Sequence, residues 1–215
     1  MRAVSEQTRP TTPAEAWQEM LAGNDRFVRD DLLHPGQSAE RRSELTDAQK
    51  PFALVFGCGD SRVAAEIVFD RGLGDLFVVR TAGHVVDTSV LGSVEFAVAA
   101  LEVPLVVVLG HSSCGAVRAS LDAVDSGRMP GGYLRDLVER VTPSIMAARA
   151  QGAAGPDEVL VEHVRQTGRL LHDRSTLVAD AVRSGRLAIV GTVYDLAEGR
   201  VRPVDVIGEI ETPSI

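Results

Sequence analysis

Cysteine is scarce in this chain, with two in 215 residues, and each stands beside other side chains that carry chemistry. Cys58 opens the stretch Cys58-Gly59-Asp60-Ser61-Arg62, which adds a carboxylate and a guanidinium within one turn of chain. Cys114 closes His111-Ser112-Ser113-Cys114. Thiolates and a neutral imidazole are the donors zinc prefers, and three such ligands leave a tetrahedral ion one open position, the layout of a catalytic rather than a structural site. Blander readings stand beside this one. A free cysteine is commonly a small core residue, His111 could simply be hydrogen-bonded, and Asp60 could cap the next helix with Arg62 as its surface partner. A redox dithiol is a further reading, although Cys-x-x-Cys is absent. A phosphatase-type anion loop is another, but it needs a longer cradle than the four-residue spacing of Cys58 to Arg62 or of Cys114 to Arg118.

The elements that must position these residues read as alternating strands and helices. Continuous apolar runs predict strands over Phe52 to Cys58, Asp75 to Arg80 and Pro104 to Gly110, with a fourth over Leu187 to Leu196 and a short fifth after a turn. Helical spacing covers residues 63–70, 88–103, 114–124, 133–150 and 157–183, the last two with expected kinks at Pro143 and near Gly168. Strands without polar alternation, separated by helices, predict an α/β fold: a mainly parallel sheet flanked by helices on both faces. Right-handed crossovers gather the strand C-terminal ends on one edge, where such sheets bind ligands. Cys58 ends the first strand, and His111 and Cys114 follow the third. Residues far apart in sequence are therefore expected on one rim.

Ahead of this core, expected over 51–210, an N-terminal helical arm is expected over 1–38, the whole of 1–215 forming a single domain. Thr12-Pro13-Ala14-Glu15 carries the signature of a capping box with proline in the first turn. Trp17, Met20, Leu21 and Phe27 share a face with no obvious place on the chain's own core, so the arm is expected to wrap a partner.

Composition excludes several classes. A net charge of −8 and scattered basic residues disfavour nucleic acid. The most apolar stretch, Leu91 to Leu109, is interrupted by Glu95, Glu102 and Pro104, so no membrane span is expected. The N-terminus lacks the apolar run of a signal peptide, and two cysteines cannot build a disulfide scaffold. The expected location is cytoplasmic.

Taken together, "CGDSRV" and "HSSCG", with "QKPFALVFGC", "GDLFVVRTAGHV", "LGSVEFAV" and "VPLVVVLGH" around them, resemble the β-class carbonic anhydrases over roughly Pro13 to Ile210, most of all actinobacterial members. The resemblance implies a zinc enzyme that hydrates carbon dioxide reversibly to bicarbonate and a proton, by attack of zinc-bound hydroxide. It makes Cys58, His111 and Cys114 the Zn²⁺ ligands and Asp60 and Arg62 the catalytic pair. Asp60 becomes a fourth metal ligand only in a closed form of the family. Gln49 matches the substrate-binding glutamine of the plant-like subgroup, whereas the bicarbonate-gated subgroup has a tryptophan where this chain has Val55. Gly115 matches a residue whose backbone N–H faces substrate, and Phe77 matches an apolar wall. The chain departs from many relatives at Gly59, often Ala or Ser, and at Phe96, often Tyr. His84 is a candidate proton shuttle. The family also implies a homodimer or tetramer with pocket residues from two chains. Alternatives are hydrolysis of a related small substrate such as carbon disulfide, or a non-catalytic zinc-binding or redox module.

Overall fold

The computed structural model describes residues 9–153 and 155–210. Residues 1–8 of the expected arm and 211–215 of the expected domain lie outside the described residues. Five strands form one sheet: β1 (Ala53–Cys58), β2 (Leu76–Thr81), β3 (Leu105–His111), β4 (Ala188–Tyr194) and β5 (Val201–Ile207), in the order β2-β1-β3-β4-β5. The first four run parallel, and β5 is antiparallel to β4. The fold class is the α/β arrangement read from the sequence. The fifth strand, expected to be short, is as long as β4.

The helices are α1 (Pro13–Val28), α2 (Ala39–Glu44), α3 (Ala65–Val68), α4 (Thr88–Ala99), α5 (Gly115–Ser126), α6 (Leu134–Ala150), α7 (Pro156–Arg174) and α8 (Thr176–Arg183). A 3₁₀ turn covers Ala82–His84. Strand residues alternate between two buried layers. Leu54, Phe56, Val106 and Val108 face the layer built with α4 to α8. Ala53, Val55, Leu105, Val107 and Leu109 face the other, together with Trp17, Met20 and Phe69.

That second layer corrects the reading of the arm. Helix α1 does not need a partner: Trp17 is 1% exposed and Met20 fully buried against the chain's own sheet. With α4 to α8 all on one face, the other apolar face must be covered, and α1 and α3 cover it. The expected capping box is present, Thr12 accepting from the Glu15 N–H while Glu15 accepts from the Thr12 N–H. Asn24 fastens the helix from inside, donating to Val68 O and Gly199 O and accepting from the Val201 N–H.

Two helical expectations change as well. Helix α6 runs through Pro143 without a break; the lost hydrogen bond is offset by a buried face of Val138, Val141, Ile145 and Ala148. The 157–183 segment divides not at Gly168 but at Ser175, which caps α8 by accepting from the Val178 N–H and donates to Glu95. Gly168 stays helical because it is a packing position, buried opposite Ile189. The short α2, capped by Ser38, carries no buried residue, so hydrophobic periodicity could not announce it.

Candidate metal centre

The site forms where chain direction across the sheet reverses. From β1 the chain goes to β2 on one side, then crosses to β3 on the other, so the C-terminal ends of β1 and β3 are neighbours with a crevice between their outgoing loops. Cys58 is the last residue of β1 and His111 the last of β3. Ser113 then takes a left-handed conformation, φ 55°, which turns the chain back and sets Cys114 as the residue before α5. The Sγ atoms of Cys58 and Cys114 and one imidazole nitrogen of His111 lie within 4.8 Å of one another, all three residues being buried.

The hydrogen bonding of His111 tests whether this cluster suits a metal. Its Nδ1 is 2.9 Å from Ser112 O, and a carbonyl only accepts, so the ring proton sits on Nδ1. Nε2 is left as a buried atom with no hydrogen-bond partner among the described residues. A neutral imidazole anchored through one nitrogen, with the other bare and facing two sulfurs, is what a metal ligand requires. Cys58 is already inclined to ionise. The hydrogen bond from the Cys114 thiol, outweighing burial, brings it down to about 4, helped by His111 and the Gly83 N–H. Cys114 is correspondingly raised, because its proton is held by Cys58 and it is buried; the amides of Val117 and Ala116 at the start of α5 work the other way. Burial opposes a proton on His111, yet Cys58 beside it raises its pKa above the ordinary value. A divalent cation would replace the shared proton and relieve both groups. The donor set fits zinc.

Asp60 and Arg62 form a two-pronged pair, Arg62 Nε to Asp60 Oδ1 at 2.9 Å and Nη2 to Oδ2 at 2.7 Å. The Arg62 backbone N–H adds a third contact at 2.9 Å. The guanidinium, outweighing burial, holds the Asp60 carboxyl well below the usual range. Asp60 Oδ2 lies 3.8 Å from His111 Nε2, beside the sulfur–nitrogen cluster but turned to Arg62. Gly115 begins α5 directly after Cys114, and nothing stands within 4 Å of where a side chain on it would be. Its N–H is one of the first amides of that helix, which have no partner within the helix itself.

Gln49 and Phe77 lie elsewhere in this chain. Gln49 is exposed and precedes β1, whereas Cys58 ends it, and the strand alone spans about 17 Å. Phe77 pairs in register with Leu54, and Cys58 with Thr81, so Phe77 sits about 13 Å down the sheet, its ring 6.0 Å from that of Phe96. His84 is corrected as a shuttle: it is fully buried, neither ring nitrogen has a partner among the described residues, and burial first, then His163 and His111, keep it neutral. A group with no route to water cannot hand protons to it. Arg80 went unnoticed in the sequence, although a charged residue closing an apolar strand is a signal. Its guanidinium binds Cys58 O at 2.8 Å and also Asp60 O, fixing the loop between ligand and carboxylate.

A family model described as carbonic anhydrase matches residues 53–201, which contain the whole cluster. The chain belongs to the carbonic anhydrase family. Its reaction is accordingly the hydration of carbon dioxide, and its cofactor is zinc. It is 57% identical over 200 residues to a carbonic anhydrase of Mycolicibacterium smegmatis, covering 93% of this chain and 97% of that protein. It is 54% identical, with the same coverage, to carbonic anhydrase 2 of Mycobacterium tuberculosis. Among solved structures, the β-carbonic anhydrase CafA of Aspergillus fumigatus superposes with a TM-score of 0.68 at 28% identity, over 88% of this chain and 90% of that one.

Proposed function

We propose that Cys58, His111 and Cys114 hold the zinc ion and that Asp60, oriented by Arg62, is the catalytic carboxylate. The observation that carries this is the bare, buried Nε2 of His111 within reach of two free thiols. Zinc, when bound, lowers the pKa of a coordinated water toward about 7 and supplies hydroxide near neutral pH. Asp60 stays ionised at every working pH, because Arg62 stabilises its charge, and is therefore always an acceptor. It takes a hydrogen bond from the oxygen nucleophile and aims the lone pair at carbon. The Gly115 N–H, at the positive end of α5, orients a substrate oxygen and holds the bicarbonate that forms.

Gln49 and Phe77 complete the pocket from a second copy of the chain, giving a homodimer or a dimer of dimers. Their distance from Cys58 within one chain supports this. So does Phe96, which is 48% exposed beside the half-buried Phe77 on the outer strand. We further place the protein in the cytoplasm, where both cysteines stay reduced; no helix of the described residues is long and apolar enough to cross a membrane.

Complementation tests the arrangement. Gln49→Ala is expected to lower kcat/KM for CO2 hydration about tenfold, the loss of one substrate hydrogen bond, and Cys58→Ala to be inactive. Dissociating and reassociating a mixture of the two should return activity, because a mixed dimer holds one site with intact ligands and a Gln49 donated across the interface. A mixture no more active than the separate variants would place Gln49 in its own chain's site or outside any site.

A further inference from the structure

Behind the ligand set runs a buried polar chain with no part in the chemistry above. His163 on α7 is 4% exposed and Ser144 on α6 1%. His163 Nε2 lies 2.9 Å from Gly83 O, and since that carbonyl can only accept, the ring proton is on Nε2. Nδ1 is then the acceptor, 2.9 Å from the Ser144 hydroxyl, whose one proton it shares with Gln166 Oε1 at 3.1 Å. Burial keeps the ring neutral, so the Gly83 carbonyl fixes the tautomer. The His84 ring packs against it with centroids 4.4 Å apart.

Gly83 is where this chain meets the metal centre. Its N–H donates to Cys58 Sγ at 3.3 Å, from a left-handed backbone with φ 65° and ψ 21°. No side chain fits there, because an added Cβ would stand 2.7 Å from the Ala116 side chain. The N–H and the C=O of Gly83 belong to different peptide units, so a bond to the carbonyl cannot polarise the amide directly. It fixes the rotation of the residue, and that sets where the N–H points. Helix α7 is a firm platform for the purpose. Val164, next to His163, sits over Gly110 and Gly191, where added Cβ atoms would lie 2.5 and 2.9 Å from its methyl groups.

We propose that His163 is a positioning residue for the zinc ligand Cys58: by holding Gly83 O it aims the Gly83 N–H at the thiolate sulfur. The inference rests on the zinc reading of Cys58, His111 and Cys114. An N–H···S contact draws density from the sulfur and orients its lone pairs, so its loss changes both metal affinity and the strength of sulfur-to-metal donation. Partners of this outer kind are typically worth about 10–100-fold in affinity.

The test uses full-length protein stripped of metal and reloaded with Co²⁺, whose sulfur-to-cobalt charge-transfer absorption reports thiolate donation directly, together with zinc affinity measured against a competing chelator. Wild-type protein without that absorption would fault the zinc reading itself. His163→Leu is expected to move the charge-transfer band and weaken zinc about tenfold or more. His163→Gln keeps an N–H within reach of Gly83 O and should restore both. Ser144→Ala, which frees the ring without deleting it, should shift both in the same direction by less. Folded His163→Leu with the wild-type band and affinity would overturn the proposal, and so would His163→Gln that behaves like the leucine variant. Should the leucine variant not fold, Ser144→Ala with unchanged band and affinity overturns it instead.

Discussion

Two of the aspartate–arginine pairs in this chain are built in opposite ways. Asp60 at the rim meets Arg62 two residues away, with side-chain exposures of 17% and 53%. Asp70 beneath the arm meets Arg26, far off in sequence, at 2.6 Å, with exposures of 1% and 23%. Asp70 also accepts the backbone N–H groups of Leu33 and His34, so one buried carboxylate ties α1 and the segment after it to the loop after α3. The Asp60 carboxylate takes all its hydrogen bonds from Arg62, two residues on. A pair closed within one tight turn leaves the carboxylate on the crevice and free to serve the site; a pair spanning two segments locks them. The proposed chemistry at the rim and cohesion at the arm thus use the same two residue types, separated by where the partner comes from.

Substitutions that break this contrast most severely fall at the rim. Cys58→Ala, His111→Ala or Cys114→Ala is expected to abolish CO2 hydration and strip most zinc, measured by stopped-flow indicator assay and elemental analysis. Full zinc content in Cys114→Ala would sever the cluster from the reaction. Next come Asp60→Asn and Arg62→Ala, expected to cost about 10²-fold or more in kcat while zinc content and melting temperature hold. An Asp60→Asn protein with wild-type kcat would make the rim pair structural after all.

The same contrast explains what could be read in the sequence. Cys58, Asp60, Arg62, His111 and Cys114 are few, chemically distinctive and clustered at strand ends, and the apolar runs leading to them state the parallel sheet. Strand identity was legible because Val106, Val107 and Val108 are buried on both faces and show no alternation. The arm was not, because an amphipathic face announces that it is buried, not against what; only the count of helices on the opposite face reveals that α1 has a vacant layer to fill. His84 misled for a related reason: a histidine near a site in sequence says nothing about its access to water. His163 was invisible, being an ordinary residue of a helical pattern 52 positions after His111.

The arm side yields smaller effects, on stability alone. Trp17→Ala empties a fully buried indole site between α1 and the sheet and is expected to cost about 3–5 kcal/mol, read by denaturant unfolding. Protein that remains folded should keep its zinc. A cost below about 1 kcal/mol would mean that α1 does not seat on its own sheet in solution, returning the arm to a partner.

Asp70→Asn carries the smallest effect and the clearest signature. Burial alone would raise the Asp70 pKa, but Arg26 and the Leu33 and His34 amides outweigh it and leave the carboxyl below its ordinary value. A carboxylate whose pKa is depressed by folding adds stability above its unfolded pKa, near 4, and loses it as pH falls through the lower folded value. The asparagine variant cannot ionise, so its deficit should be about 2 kcal/mol near pH 7, the scale of a charge-assisted bond with a partly exposed partner. Below about pH 4 the deficit should shrink, as the native carboxyl takes up its proton and the two proteins come to resemble each other. Arg62→Ala provides the control. Its partner is more exposed, and a pair only two residues apart can form in the unfolded chain too, so its effect on stability should stay within about 1 kcal/mol. If Asp70→Asn and Arg62→Ala destabilise equally at neutral pH, the distinction between a pair that locks and a pair that serves fails.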